Sequence, residues 1–425
     1  MNSKNEQFYD STFSCPKCNA RIHESDFIKK YCGCGFRLKI SFNYEALRDT
    51  ITKEILDNRP FNHERYVEFY PLRNPDNMIK LGTGGTPFLQ ANKIAKKIGV
   101  KNLFLKIESA NPSGSFKDRP ISIGVSKAKE LGSTTVTAAS SGNAAAALAT
   151  FAARSDLDAV VFVPEHAPKG KIAQLTFLGA KVIKVSIVKE GEDPTVTLFK
   201  KAYKEYNWTP SPSFGPFNPF QFEGTKSLGF EICEQSNWQV PDWVLCNTGS
   251  GGLLAGTFQG FFEFQQLDFI DKLPKMVAVQ PAECAPIVES FKKKVKPLNF
   301  IDWTKTPNTI AGGLADPHPW DGNEALEAIY ESKGTAVAVK EADILRTQRW
   351  LAADEGIFGE PSGTASFAGL EMLVNDGTID PSDFIVLPIT GTGFKDPEVV
   401  FETVTVFDAI PPDLNRLKKL LERME

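Results

Sequence analysis

The sequence lacks the features of several protein classes. Its 425 residues contain no apolar run near the about 18 residues that a membrane helix needs, so we expect no membrane association. The first residues are polar and have no apolar segment of the kind found in a secretory signal. Acidic residues (52) outnumber basic ones (48), so no positive surplus exists to bind nucleic acid.

Cysteine is scarce and unevenly placed. The chain has seven, and four of them lie between Cys15 and Cys34. An odd number without a secretory signal favours a reducing compartment, and we expect a cytoplasmic protein. The composition, 42% hydrophobic and 24% charged, is ordinary for a globular protein. The length predicts about two or three domains.

The clustered cysteines form a candidate metal site. Cys15 and Cys18 make a C-x-x-C pair, and after thirteen further residues Cys32 and Cys34 make a tighter C-x-C pair. Two close thiol pairs at this separation suit a structural zinc ion with tetrahedral ligands. We therefore predict a zinc-ribbon-like cysteine unit over residues 1–40. The alternative is a degenerate ribbon that no longer binds metal.

After about residue 80, short apolar runs alternate with longer stretches of helical periodicity. Continuously apolar runs are typical of strands buried in parallel sheets, so the pattern predicts an α/β fold with parallel-sheet cores. The predicted strands are residues 103–106, 135–140, 159–163, 181–185, 244–247, 276–280 and 384–389. The predicted helices include residues 142–153, 171–178, 360–373 and 412–424.

Three loops rich in glycine, serine and threonine follow predicted strands: residues 140–143, 248–253 and 390–393. Ligands of open parallel sheets bind at the carboxyl ends of the strands, so we expect these loops to meet at one cleft. Residues 248–253 (Thr-Gly-Ser-Gly-Gly-Leu) are the candidate phosphate loop, because bare glycines let backbone N–H groups surround an anion. The alternative is a tight glycine turn without a ligand.

Lys117 lies among small residues in the segment Pro-Ser-Gly-Ser-Phe-Lys-Asp-Arg, residues 112–119. Lysine is usually an exposed surface charge. It also forms Schiff bases where a partly desolvated pocket makes its amine nucleophilic. The residue types alone leave both alternatives open.

The segment around Lys117 resembles the P-T-G-S-F-K-D-R signature of the threonine synthases. Further segments match this family in order and spacing: residues 82–87, 105–109, 140–143, 218–226, 356–361 and 390–396. The cysteine unit also recurs in some members. The resemblance implies a two-domain fold-type II pyridoxal-phosphate enzyme, similar to the β subunit of tryptophan synthase, that forms a homodimer and acts on a small amino acid.

The resemblance also implies domain boundaries. The large domain, which binds pyridoxal 5′-phosphate (PLP), would comprise residues 41–115 and 223–425. The small α/β domain would comprise residues 116–222. The cysteine unit would precede both.

Residue roles follow from the same resemblance. Lys117 would carry PLP and take the α proton of the substrate, with Phe116 beside it in the cofactor site. Asn143 would contact the ring 3′-oxygen, and Thr390 the pyridine nitrogen. The cofactor phosphate would lie against Gly249, Ser250, Gly251, Gly252 and Leu253. The substrate carboxylate would lie against Ser140, Ser141 and Gly142.

The substrate-phosphate positions depart from the family pattern. Threonine synthases usually have N-S-x-N-P-Y-R, in which the first Asn, the Ser and the Arg help to hold this phosphate. The aligned residues here are Gly215, Pro216 and Gln221, so Gln221 remains as a substrate ligand without charge. Residues 311–320 also lack an arginine of the family.

The cofactor residues match the family motif whereas the pocket is altered, and this combination leads to one main hypothesis and two alternatives. The main hypothesis is β-replacement on O-phosphoserine with sulfite as nucleophile, as in cysteate synthase. The first alternative is threonine synthase itself, which converts O-phosphohomoserine and water into threonine and phosphate. The second is a non-catalytic binding or regulatory protein with the same fold.

Overall fold

The computed structural model describes residues 5–27, 33–186, 193–401 and 403–424. The chain divides into two compact units, Met1–Lys395 and Asp396–Glu425. The strands are Thr12–Ser14 (β1), Arg21–His23 (β2), Phe88–Gln90 (β3), Asn102–Lys106 (β4), Thr135–Ala139 (β5), Asp158–Pro164 (β6), Lys181–Val185 (β7), Thr209–Pro210 (β8), Trp243–Asn247 (β9), Lys275–Pro281 (β10), Thr335–Val339 (β11) and Phe384–Pro388 (β12).

The α-helices of the first unit are Tyr44–Thr50 (α1), Lys53–Asp57 (α2), Asn92–Ile98 (α3), Asp118–Glu130 (α4), Asn143–Ser155 (α5), Lys169–Phe177 (α6), Pro194–Glu205 (α7), Pro219–Thr225 (α8), Ser227–Gln235 (α9), Gly252–Gln266 (α10), Pro286–Lys292 (α11), Gly322–Glu331 (α12), Glu341–Glu355 (α13), Pro361–Thr364 (α14) and Ser366–Asn375 (α15). The second unit contains Glu398–Phe401 (α16) and Leu414–Leu421 (α17). No helix in the described part of the chain has both the length and the apolar character needed to cross a bilayer.

A six-stranded sheet carries most of the loops that were predicted to bind ligands. Its strand order is β11-β10-β9-β12-β4-β3, and its pairs are parallel apart from the antiparallel edge pair of β3 and β4. Strand β12 pairs with β4 on one side and β9 on the other. The carboxyl ends of these three strands therefore lie side by side, where ligands of parallel sheets bind.

Both faces of this sheet are covered, which explains its continuously apolar strands. Successive side chains of a strand point to opposite faces. Val244 and Cys246 of β9 accordingly belong to one hydrophobic core, and Trp243 and Leu245 belong to another.

A four-stranded parallel sheet, in the order β7-β6-β5-β8, lies in the middle of the chain. The loop at residues 140–142 follows β5 and leads into α5. The α/β prediction with parallel-sheet cores is confirmed. The domain boundaries at residues 115/116 and 222/223 stay a prediction.

The cysteine unit packs directly against α8. The rings of Phe13 and Phe27 make edge-to-face contacts with Phe220 of α8, with centroid distances of 5.2 and 5.0 Å. Glu24 of the same unit forms a buried ion pair with Lys127 of α4 at 2.8 Å. The unit is therefore fixed to α8 and to α4, the helix that begins immediately after Lys117.

Candidate active site

Lys117 lies immediately before α4, in a segment held by its neighbours. Phe116 N donates to the carbonyl of Thr390 at 3.0 Å. Ser113 N donates to the carboxylate of Asp118 at 2.6 Å. Arg119, two residues after Lys117, is fully buried in a network of ion pairs. The position of Lys117 is thus fixed on both sides along the chain.

The amine of Lys117 is suited to nucleophilic chemistry. Its Nζ donates a hydrogen bond of 2.7 Å to the hydroxyl of Ser213. Burial lowers the pKa of Lys117 to about 8, although the charges of Asp321 and Asp316 act in the opposite direction. A lysine whose amine is partly unprotonated near neutral pH can attack a carbonyl group or accept a proton.

Lys117 lines a small cavity at the start of α10. Four residues that the sequence predicted for the cofactor site line this cavity: Phe116, Lys117, Gly252 and Leu253. The sequence did not identify Ser213 or Asp321, which line it as well. Neither lies in a segment whose glycine or lysine content suggested a site, and only the folded chain brings them to Lys117.

The candidate phosphate loop lies between β9 and α10, as predicted. Gly251 precedes α10 with a φ of +100°, and a side chain there would meet the carbonyl oxygen of Asp321, 2.6 Å from the position of a Cβ. The N-cap residue of α10 is this glycine, which has no side chain to bond the first N–H groups of the helix. Its backbone N–H groups and helix dipole are therefore available to an anion such as a phosphate.

The loop after β5 joins the end of β12 through Asn143. Asn143 Nδ2 donates to Glu360 at 2.6 Å, and Lys395 Nζ donates to Asn143 Oδ1 at 2.9 Å. A Cβ on Gly391, the residue after Thr390, would lie 3.2 Å from Asn143 Nδ2. The structure thus brings Asn143 and Thr390 to the same edge, and Lys395 is an additional cation there.

Ser140, Ser141 and Gly142 are half-buried at the N-terminus of α5. Gly142 N donates to the hydroxyl of Ser140 at 3.2 Å. Gly249 and Ser250 occupy the turn between β9 and α10, with Gly249 close to the backbone of Gly313. The binding roles predicted for these residues stay predictions.

Gln221 lies behind the wall of the cavity. It is 1% exposed, and its Oε1 accepts a hydrogen bond of 2.9 Å from Ser213 N. Its Nε2 is buried without a hydrogen-bond partner among the described residues. In this arrangement Gln221 holds the backbone of Ser213, which in turn contacts Lys117. Its predicted role as a substrate ligand stays untested.

Three of the four clustered cysteines come together in the N-terminal unit. The sulfur atoms of Cys15, Cys18 and Cys34 all lie within 4.8 Å of one another. Cys32, the fourth predicted metal ligand, lies outside the described residues.

These features match a known enzyme class. Residues 79–391 match the family described as "Pyridoxal-phosphate dependent enzyme". The structure is similar to processed threonine deaminase isoform 2 from Solanum lycopersicum, with a TM-score of 0.62, 22% identity and coverage of 79% of this chain and 82% of that chain. It is also similar to maize serine racemase, with a TM-score of 0.62, 20% identity and coverage of 80% and 92%. The fold and the site define a fold-type II PLP-dependent enzyme.

The sequence relatives are more specific. The chain is 40% identical to a threonine synthase of Methanocaldococcus jannaschii, over 96% of this chain and 99% of the relative. It is 36% identical to a threonine synthase of Methanosarcina acetivorans, over 93% and 95%. The chain belongs to the threonine synthase family of PLP-dependent enzymes.

The site fits the cofactor of this family. PLP needs a lysine in a desolvated pocket and neutral backbone donors for its phosphate. Lys117 lies in such a pocket, and the uncapped N-terminus of α10 lines the same cavity through Gly252.

Proposed function

We propose that this protein is a threonine synthase, which converts O-phosphohomoserine and water into threonine and phosphate. The observation that carries the proposal is the match to relatives named threonine synthase over nearly the whole chain. The relatives favour this alternative over the main hypothesis from the sequence, β-replacement on O-phosphoserine.

In this proposal Lys117 has two tasks. Its Nζ would hold the cofactor, and the free amine would take the α proton of the bound substrate. When bound, PLP withdraws electrons from the substrate Cα, which makes that proton acidic. Ser213, whose hydroxyl lies 2.7 Å from Nζ, orients the amine and exchanges a proton with it.

The remaining residues bind and orient. The backbone N–H groups of residues 249–253 hold the cofactor phosphate at the N-terminus of α10. Asn143, fixed by Glu360 and Lys395, contacts the cofactor ring. The hydroxyl of Thr390 would contact the ring nitrogen, and the half-buried loop at residues 140–142 would bind the substrate carboxylate.

The β-replacement reaction remains a second candidate because of one observation. Gln221, at the position of the family arginine, is uncharged and directed at the backbone of Ser213. A substrate one carbon shorter would place its phosphate elsewhere, so the family arginine would not be needed.

Product analysis separates the two candidates. The PLP-loaded protein is incubated with O-phosphohomoserine or O-phosphoserine, each with and without sulfite, and the products are identified by mass spectrometry. We expect threonine and phosphate from O-phosphohomoserine. A sulfonated amino acid from O-phosphoserine, without threonine from the other substrate, would overturn the proposal.

We further propose that Cys15, Cys18, Cys32 and Cys34 bind one structural zinc ion. The mutual approach of three of these sulfurs supports the proposal. Elemental analysis of the purified protein should give one zinc ion per chain, and Cys18→Ser should lower this content. A metal-free protein that folds normally would contradict the proposal. The expected homodimer stays a prediction.

A further inference from the structure

Arg37 belongs to the cysteine unit but reaches the wall of the Lys117 cavity. The Cζ of its guanidinium lies 3.8 Å from the ring centre of Phe222, which lines the cavity. The side chain also fills the space beside Gly215, a second lining residue, where an added Cβ would lie 2.6 Å from Arg37 Cδ. Glycine at position 215 therefore makes room for Arg37.

Arg37 faces two largely buried carboxylates, those of Glu223 and Glu324. Its Nη1 lies 3.6 Å from Glu223 Oε1, and its Nε lies 3.4 Å from Glu324 Oε1. Glu223 has a second cation, Lys226, at 2.8 Å. The Arg37 side chain is 12% exposed and that of Glu324 is 11% exposed, so water screens their charges poorly.

The carboxylate nearest to the phosphate loop is that of Asp321. Its Oδ1 accepts a hydrogen bond of 3.0 Å from Gly215 N, the same residue that Arg37 covers. A Cβ on Gly252, the first residue of α10, would lie 3.0 Å from Asp321 Oδ2. The backbone of Asp321 supports the loop, because its N–H donates to the carbonyl of Ser250 at 2.8 Å.

This arrangement poses an electrostatic problem. A phosphate bound at the N-terminus of α10 would lie near Asp321 and its neighbour Glu324, and like charges repel each other strongly at buried sites. Burial and the charge of Glu324 raise the pKa of Asp321 to about 7, while Arg37 opposes this rise. Arg37 supplies a fixed positive charge beside these acids, which opposes the repulsion.

We propose that Arg37 is a positioning residue of the active site, which balances the charges of Asp321 and Glu324 and so allows the cofactor phosphate to bind at the adjacent loop. The cysteine unit is then part of the active site and not a separate module. The inference rests on the assignment of residues 249–253 to the cofactor phosphate, and it holds for either substrate.

The test measures PLP affinity directly, by titrating the cofactor-free full-length protein with PLP and following the visible absorption of the bound form. Arg37→Met should weaken PLP binding by roughly tenfold or more. This is the effect of one unbalanced carboxylate that repels the phosphate at an effective dielectric constant of about 20. Arg37→Lys should recover part of the affinity. The double variant Arg37→Met/Glu324→Gln should recover most of it, because the unbalanced carboxylate is also removed.

The matched control is Arg21→Met, in the same unit. Arg21 pairs with Asp10 but is 66% exposed, so this change should leave PLP affinity unaltered. Wild-type affinity in Arg37→Met would overturn the proposal, as would a double variant that binds no better than Arg37→Met. If Arg37→Met does not fold, PLP affinity is measured for Glu324→Gln alone, which removes one of the carboxylates that Arg37 balances. A tenfold loss of PLP affinity in that variant would overturn the proposal. Threonine formation is not measured, so failure here is distinct from failure of the proposed reaction.

Discussion

Replacing Glu231 with glutamine should destabilise the protein by about 3–5 kcal/mol, the cost of breaking a buried ion pair by removing one partner. Glu231 accepts hydrogen bonds from Arg119 Nη1 at 2.7 Å and from Lys106 Nζ at 2.5 Å, and all three side chains are fully buried. Arg119 also donates from Nε to Glu108 at 2.6 Å. The two cations and two carboxylates balance one another.

The glutamine variant would upset this balance. Its amide keeps one acceptor oxygen, but its NH₂ group would face Arg119 or Lys106, which are donors only. Burial by itself would raise the pKa of Glu231, yet Arg119 and Lys106 hold it well below its ordinary value. The network therefore stabilises the ionised carboxylate, and the variant leaves one buried positive charge without a partner.

The assay is urea unfolding followed by circular dichroism at pH 7. The matched control is Asp158→Asn, which removes an ion pair to Lys181 whose side chains are 60% and 57% exposed. The control should cost less than about 1 kcal/mol. A loss in Glu231→Gln no larger than that of the control would refute the claim that this network holds the segment of Lys117.

Two further predictions concern buried groups near the same site. Burial, followed by the charge of Arg119, lowers the pKa of His63 to about 3, so the unfolded state binds more protons than the folded state between about pH 3 and 6.5. The free energy of unfolding should therefore fall as the pH drops through this window. Urea unfolding at pH 7 and pH 5 should show a smaller fall for His63→Asn than for the wild type. An equal fall in the two proteins would contradict this. Gly251→Ala should weaken PLP binding, because its Cβ would lie 2.6 Å from the carbonyl oxygen of Asp321. The control is Gly99→Ala, where φ is similar at +93° but the Cβ would lie in open space, so this change should affect stability alone. Equal PLP affinity in the two glycine variants would contradict the proposed phosphate loop.

The sequence predicted the parts of the fold that have strong local signals. The apolar run at residues 181–185 is a strand with those bounds, and Gly179 ends the preceding helix with a φ of +88°. The strand β11 was missed because Thr335–Val339 alternates valine with alanine, a residue depleted in strands. The predicted helix over residues 360–373 divides into α14 and α15.

The site was predictable only where a motif carried it. Lys117 and the loop at residues 248–253 have recognisable sequences, and the structure places them at one cavity. Ser213 and Arg37 have no such signal, because their position depends on the packing of α8 and the cysteine unit. Gln221 was predicted to be a substrate ligand from its position in the motif. The structure shows that its Oε1 accepts a hydrogen bond from Ser213 N, a contact made by the fold of α8 that the motif does not reveal.

The proposed function depends most on Lys117 as the residue that carries PLP. Borohydride reduction of the PLP-loaded protein fixes the cofactor to its lysine, and mass spectrometry of a digest locates the modified peptide. We expect the modification at Lys117. Modification at Lys106 or at Lys395 instead would contradict this assignment. The amine of Lys106 already donates hydrogen bonds to Thr86, Glu231 and Gln235.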